Sequence, residues 1–351
     1  MHVAIIDPQQ DDRWDTFVRT HQFGSFYHLS GWANVLVRTF KYKALYFVLE
    51  KGRNIIAGIP FMLINSVLTG KRLVSLPRTP YCDPLVKNEL ESKLILKHVE
   101  EITKNENCDY FELKPHFNHK VLEYNGFRRC VPFTNHMLKL DKPPSELWTS
   151  FHRSCVRQRV RKAEDFHVKV RVGSTIDDVK IFYRLYRSTC KKHEVPGRPF
   201  SFFCNIWQTF LRSNSVFVLI AELNEKPAAA AMVFIFNDVM YYEYLGLKYD
   251  LIEFCPGHLL LWTAIQEAYK RNCKYFDFGV THRDNMGLRS FKKRWGAEES
   301  DLSSFYYPDA SGYKQVVENS CTHDASKSTI LAKSKAFAKV EAARVLTNHF
   351  G

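Results

Sequence analysis

The sequence predicts an α/β (α+β) chain of two tandem domains, each a mixed central sheet flanked by helices. Two observations lead there. One order of elements (helix, hairpin, helix, strand, Gly-containing turn) occurs twice at long spacing, the mark of a duplicated α/β unit. The 351 residues, 45% apolar and 25% charged, suit two globular domains of ordinary size.

In the first half, Ala44–Leu49 reads as a strand. A polar turn at Arg53 and Asn54 leads into a second strand, Ile55–Phe61, opened by small residues. A helix over Glu89–Thr103 precedes the strand Cys108–Leu113, and Asn125-Gly126-Phe127 supplies the turn. Asp141–Ser145 carries Pro143 and Pro144 and reads as a linker, with Ser145 as N-cap of a following helix. The second half repeats the order. Val216–Leu223 and Lys226–Phe234 form a hairpin, His258–Arg271 a helix and Cys273–Phe278 a strand, and Trp295-Gly296-Ala297 the turn. The expected domains are 1–140 and 145–308, with a C-terminal tail 309–351 whose Ala/Lys-rich part, Ser326–Val345, is helical in tendency.

The net charge of +13 favours polyanionic partners: nucleic acid, CoA phosphates, nucleotide-sugar diphosphates or anionic lipid heads. No stretch approaches the roughly 18 uninterrupted apolar residues of a membrane span. The N-terminus MHVAIIDPQQ lacks the basic and apolar regions of a secretory signal, so a cytoplasmic location is expected. Nine cysteines without a C-x-x-C pair suit reduced thiols rather than a disulfide framework. His116 and His119 form the tightest histidine pair, but no ligand pattern accompanies them and no metal is expected.

The densest chemistry lies in Lys274–Glu298. A strand ends at Asp277-Phe278-Gly279, a polar loop with a bend at Gly287 follows, and Phe291-Lys292 sets a cation behind the strand end. Strand ends of open α/β sheets are habitual ligand sites, and a fixed lysine there suits an anion or a developing oxyanion. Arg153, Arg157 and Arg161, spaced by four, would share a helix face. Arg198, between Gly197 and Pro199, is a restrained candidate for bidentate phosphate binding. In the aromatic strand Tyr241–Gly246, period-two alternation puts Tyr242 and Tyr244 on one face. The Pro-rich loop Leu76–Pro84 would hold Arg78 and Asp83 rigidly; Asp83 either receives an amine or sugar hydroxyl, or caps a turn. No Walker loop, G-x-G-x-x-G fingerprint or Ser-His-Asp arrangement is present. The segment Phe254–His258, where an acetyl-CoA-dependent enzyme carries its glycine-rich loop, has Gly257 only.

Taken together, T-C-K-K-H-E-V-P-G-R-P, Y-Y-E-Y-L-G, F-D-F-G and G-L-R-S-F-K-K-R-W-G-A-E resemble the FemA/FemB/FemX-like transferases. The loop P-R-T-P-Y-C-D at Pro77–Asp83 and the stretch Phe26–Trp32 are similar to further family motifs, so the resemblance spans roughly residues 20–308. It implies two GNAT-like domains. It also implies aminoacyl transfer from aminoacyl-tRNA to an amine of a peptidoglycan precursor, with no metal and no permanently bound cofactor. By motif position, Lys292 would act near the reacting ester, Arg198 would bind the precursor's diphosphate, and Tyr244 or Tyr242 would be a site tyrosine. Trp32 and Asp83 would lie at the acceptor site, with Asp83 a catalytic candidate because the amine must give its proton to the ribose hydroxyl, to Asp83 or to water; Arg78, Arg157 and Phe291 are further binding candidates. Ser30 and Phe202 depart from the family's lysine and tyrosine. The expected function is therefore acyl or aminoacyl transfer onto an amine of a cell-envelope precursor, either a small anionic or a lipid-linked one. The alternative is an acyl-CoA-dependent N-acyltransferase of polysaccharide biosynthesis. Basic charge would allow peripheral contact with the inner membrane face, and a lipid-linked acceptor would bring Trp32 and Phe26 to that interface.

Overall fold

The computed structural model describes residues 1–66, 70–122 and 126–308. The tail 309–351, with the helical tendency of Ser326–Val345, lies outside the described residues, as does Asn125 of the first turn. Two compact units are present: residues 1–133 with the return from Asp301 onward, and residues 134–300.

In the first unit the elements run β1 (His2–Ile6), α1 (Arg13–Thr20), α2 (Ser30–Phe40), β2 (Lys43–Lys51), β3 (Asn54–Ser66), β4 (Gly70–Val74), α3 (Glu89–Asn105) and β5 (Tyr110–Leu113). Strand order follows the chain from β1 to β5, and every pair is antiparallel except β4 with β5. Asn88 caps α3 by accepting the Glu91 N–H. One core is built from Phe47, Phe61 and Phe111 of the sheet and Ile95, Leu96 and Val99 of α3. Trp14 of α1 and Trp32 of α2 are both fully buried, so this unit gains much of its stability from aromatic burial.

Next come β6 (Arg128–Lys139), α4 (Pro144–Ser150), a π-turn at Arg153–Arg157 and α5 (Gln158–Asp165). The second unit then repeats the first: β7 (Lys169–Gly173), α6 (Ile176–Lys192), α7 (Phe200–Phe210), β8 (Val216–Leu223), β9 (Lys226–Phe236), β10 (Val239–Leu247), α8 (Pro256–Lys270) and β11 (Tyr275–His282). Strands β7 to β11 again lie in chain order, and the last pair, β10 with β11, is again the parallel one. Then α9 (Met286–Lys293) and β12 (Glu298–Tyr307) close the described chain. A left-handed glycine precedes β6 (Gly126) and β12 (Gly296), matching the expected turns.

Ala228–Ala231 of β9 are all fully buried. Small residues let helices approach both faces of this strand. Ala229, Ala231 and Val233 belong to the core built on α8, whereas Ala230, Met232 and Phe234 alternate with them and point to the other face. α6 starts at a capping box in which Thr175 and Asp178 satisfy each other's backbone N–H groups. Gly246 of β10 lies beneath α6. A Cβ there would come within 2.3 Å of the Tyr186 backbone nitrogen, so no other residue fits.

Several expectations need correction. The compact units do not divide at Asp141–Ser145: Thr134–Lys139 and Glu298–Ser300 pack with the second unit, while residues from Asp301 pair in the first, where Phe305 faces Leu113. The helix after the linker begins at Pro144 with Pro143 as N-cap, because proline fits the first turn without losing a hydrogen bond. Arg153 and Arg157 lie in the π-turn, so the helical four-residue spacing does not unite them with Arg161. Gly287 stands inside α9 rather than at a bend, since Asn285 caps that helix by accepting the Leu288 N–H.

Candidate active site

The parallel pairing of β10 with β11 ends at Tyr241 opposite Asp277, although both strands continue. Two local devices accompany this parting. On β10, Tyr242 pairs with Val233 and Tyr244 with Met232, which leaves Glu243 as the extra residue of a β-bulge. On β11, Gly279 has φ +74, a left-handed conformation that glycine adopts without a Cβ penalty. The Asp277 carboxylate fixes that bend by accepting the Gly279 N–H at 2.7 Å.

Lys292 of α9 reaches this notch. It is 5% exposed, and its ammonium donates to the Gly279 carbonyl at 2.6 Å and to the Val280 carbonyl at 3.4 Å. Burial lowers its pKa to about 8, against the opposing pull of Asp277 and Glu243. The result is an oriented cation with two of its N–H donors on backbone carbonyls and a third uncommitted to them. A second polar group adjoins it. His136 of β6 is fully buried, and its Nε2 meets Glu299 at 3.0 Å. Burial, with the Lys292 charge next, lowers the His136 pKa to about 4, so the ring is neutral near pH 7.

Glu299 also organises α9. Its carboxylate accepts from Arg289 at 2.7 and 2.9 Å and pairs with Lys293 at 3.2 Å. The Arg289 hydrogen bond holds Glu299 at a pKa of about 2. Neither this clamp nor the bulge is legible in the sequence, though GLRSFKKRWGAE contains Arg289 and Lys293 and YYEYLG contains the bulge.

The bulge changes one expectation about the tyrosines. Tyr242 stacks near Phe276 and packs into the core under α8, whereas Tyr244 meets Tyr186 and Phe203 on the α6 and α7 side. They face opposite sides of the sheet because Glu243 interrupts the alternation. Both hydroxyls are buried, and burial raises both pKa values. The Arg198 guanidinium bears on Tyr244, and the Arg198 backbone N–H donates to the Tyr186 hydroxyl at 3.0 Å. Arg198 and Tyr244 are thus brought together. Phe291 stands edge-on to His258 and near Trp295. Arg157 is half-buried at the end of the π-turn.

In the first unit, Asp83 is 2% exposed, and one carboxylate oxygen accepts the N–H groups of His116, Phe117 and Asn118 at 2.9, 2.8 and 2.7 Å. This is the turn-capping role that its sequence context allowed. Burial nonetheless raises its pKa to about 6. Arg78 is buried, with its guanidinium over the Phe40 ring at 4.6 Å. Trp32 and Phe26 are fully buried, and the Trp32 indole N–H donates to Thr79 at 2.9 Å. Neither ring is at the surface of its unit, so the expectation that they touch a membrane interface falls. Ser25, His28 and Asp83 form a buried chain in which His28 meets the Ser25 hydroxyl at 2.7 Å and the Asp83 carbonyl at 2.8 Å.

Known proteins resemble this chain in sequence and in fold. Residues 150–293, which hold β10, β11 and Lys292, match the family described as "Acetyltransferase (GNAT) domain". A structure of FemX superposes with a TM-score of 0.71 at 18% identity, covering 91% of this chain and 100% of that one. The lipid II:glycine glycyltransferase of Staphylococcus epidermidis is 21% identical over 84% of this chain and 90% of its own length. The chain resembles the FemAB-like transferases and shares their GNAT fold. The UDP-N-acetylmuramoylpentapeptide-lysine N(6)-alanyltransferase of Weissella viridescens is also similar, 20% identical over 78% of this chain and 84% of that one. Among the described residues, no helix is long and apolar enough to cross a membrane.

Proposed function

We propose that this protein transfers an aminoacyl group from a charged tRNA to an amine of a peptidoglycan or related cell-envelope precursor on the cytoplasmic side of the membrane. The observation that carries the reading is Lys292, a buried ammonium anchored on the Gly279 and Val280 carbonyls where β10 and β11 part. The activities for which two relatives are named, a glycyl and an alanyl transfer onto such precursors, support the substrate class.

Aminolysis of an ester needs no covalent enzyme intermediate. The amine nitrogen attacks the ester carbonyl carbon, the carbonyl oxygen becomes an oxyanion, and the C–O bond to the ribose then breaks. The amine proton leaves and the ribose oxygen gains one, so the products are an amide and a hydroxyl. Within this scheme Lys292 donates to the oxyanion, an interaction strongest in a site that excludes water. Arg198, with Tyr244 beside it, takes an anionic group of the precursor. Asp83 acts on the acceptor side by holding the His116–Asn118 turn rather than by direct proton transfer. No permanently bound cofactor enters.

The description of the matched domain as an acetyltransferase favours one second reading, an acyl-CoA-dependent N-acyltransferase. The helix start Cys255-Pro256-Gly257, with a single glycine, argues against it. The deciding experiment compares charged tRNA with acyl-CoAs at matched salt, because a basic protein binds polyanions non-specifically. Preference for charged over uncharged tRNA, lost in Lys292→Ala, is the expected result. Saturable acyl-CoA binding without that preference would replace the aminoacyl reading with the second one.

A further inference from the structure

With Asp83 committed to three backbone N–H groups, the transfer still lacks a receiver for the amine proton. The last pair in the parallel register of β10 and β11 is Tyr241 with Asp277. Two residues further on, the same register would set Glu243 opposite Gly279, whose carbonyl accepts from Lys292. The strands part there instead. The place a Gly279 side chain would take has the Tyr242 carbonyl at 3.8 Å and, beyond the adjoining residues, nothing else among the described residues within 4 Å. That carbonyl belongs to the peptide leading into Glu243, so the bulge residue borders the mouth of the notch. Lys292 donates to carbonyls and not to Glu243, yet Asp277 and Glu243 are the two carboxylates whose charge bears on it. Asp277 is 2% exposed and holds the Gly279 N–H. Glu243 is half-buried, and is therefore the one of the two that a substrate can reach. Its charge also bears on Tyr244, beside Arg198. The neighbouring His136 is fully buried, with its Nε2 on Glu299.

We infer that Glu243 is the general base of the transfer, set at the mouth of the notch to take the proton of the acceptor amine, an assignment that rests on the aminoacyl-transfer reading above. Glu243 and Lys292 serve opposite ends of the bond that forms. Lys292 meets the carbonyl oxygen as it gains negative charge, and Glu243 meets the nitrogen as it gains positive charge. At neutral pH the acceptor arrives as an ammonium and first gives one proton to water. The neutral amine then attacks the ester carbon. As the C–N bond forms, a second proton passes from nitrogen to the Glu243 carboxylate. The resulting carboxylic acid returns that proton to the ribose oxygen as the C–O bond breaks. An amide, a hydroxyl and the original carboxylate remain, so the base is restored at each turnover. The carboxylate also acts before the chemistry. A chain of net charge +13 repels a cationic acceptor, and a carboxylate at the mouth of the notch offsets this locally.

The test measures transfer from charged tRNA to two acceptors: a UDP-N-acetylmuramoyl pentapeptide with a lysine amine, and hydroxylamine, which is already neutral at pH 7. Rates are read above those without protein, since hydroxylamine attacks charged tRNA unaided. Glu243→Gln keeps the shape of the side chain and should lower kcat with the pentapeptide by about 100-fold. With hydroxylamine it should stay within roughly threefold of wild type, because no proton has to leave to free the attacking lone pair. Glu243→Asp keeps a carboxylate one methylene further back and should recover about a tenth of the wild-type kcat with the pentapeptide. Equal losses with both acceptors would overturn the assignment and leave Glu243 a purely structural bulge. A Gln variant as active as wild type on the pentapeptide would overturn it too. Failure of the donor reading looks different: wild-type protein would transfer from charged tRNA to neither acceptor, and the same comparison with an acyl-CoA donor would then decide the role of Glu243.

Discussion

Lys292 and Gly279 meet through a 2.6 Å hydrogen bond from ammonium to backbone carbonyl, on a glycine that is itself held by Asp277. The Lys292 cation is therefore fixed by main-chain geometry and not by a carboxylate placed against it. Such an arrangement keeps the charge available, because no direct ion pair among the described residues neutralises it.

Replacing this lysine should separate activity from stability. Lys292→Met removes a buried charge whose desolvation is costly, so the variant should be as stable as wild type or gain on the order of 1 kcal/mol. Transfer should fall by at least 100-fold. Lys292→Arg should not rescue it, since a planar guanidinium cannot occupy the same carbonyl pair. Thermal melts beside a transfer assay check both parts, and a large loss of stability in Lys292→Met would contradict the account.

The same group predicts a pH signature. Its folded pKa, about 8, lies below the usual lysine value of 10.5, so the unfolded chain holds more protons between those limits. Stability contributed by this site should rise as pH climbs from 8 to 10.5, while activity falls above about pH 8 as the cation is lost. A wild-type alkaline limb that disappears from the stability profile of Lys292→Met would bear this out.

Asp83 has the opposite sign. Its folded pKa, about 6, exceeds the usual 3.8, so the folded state holds more protons in that window and its contribution weakens as pH rises through it. Asp83→Asn keeps an oxygen for the three N–H donors and should gain on wild type when urea unfolding is moved from pH 5 to pH 7. Asp83→Ala strands the donors of His116, Phe117 and Asn118 and should cost roughly 2–4 kcal/mol.

Overall acid stability should nevertheless follow the histidines. His21, His28, His116, His136 and His258 all have folded pKa values near 4, each lowered first by burial. Unfolding lets them take up protons below their ordinary 6.5, so stability should fall as pH drops from 6.5 to 4. Five such groups outweigh the single Asp83 working the other way. A flat unfolding free energy across that range would refute the buried-neutral assignment.

The tyrosine pair makes a local prediction. The Tyr242 hydroxyl is buried without a hydrogen-bond partner, so Tyr242→Phe should leave activity unchanged and stability equal or higher by about 1 kcal/mol. Tyr244→Phe, beside Arg198, should keep the fold and weaken precursor binding several-fold. Equal effects of the two substitutions on binding would argue against their placement on opposite faces.

Much of this was legible in the chain itself. Apolar runs joined by short polar turns locate β2, β3, β8 and β9 closely, since these strands are buried on both faces and read as nearly continuous apolar stretches. Helix ends followed from local chemistry, as at His193, where α6 stops before Pro196. The motif around Lys292 stood out because a lysine followed a strand end. What escaped was non-local or carried by backbone. The Lys292 acceptors are carbonyls, which every residue possesses and no sequence marks. Arg289 and Glu299 are joined only once β12 returns. The bulge at Glu243 was invisible because Tyr241–Gly246 is compatible with a regular strand, and the two tyrosines were assigned one face for that reason. Trp32 and Arg78 were read as site residues from their motifs, whereas their aromatic surroundings show how much packing those positions also serve.

Glu243 is the residue of β10 that the β9 register steps past. The pairs Tyr242 with Val233 and Tyr244 with Met232 would be adjacent rungs of an ordinary ladder without it. Removing this residue would leave every side chain after it facing the layer it faces now, with Gly246 still beneath α6. The opening that admits Lys292 is thus a feature of chain length, one residue more than the sheet requires. A chain shortened there is free to zip β10 and β11 beyond Tyr241 and Asp277, giving a sound domain without the notch that Lys292 enters.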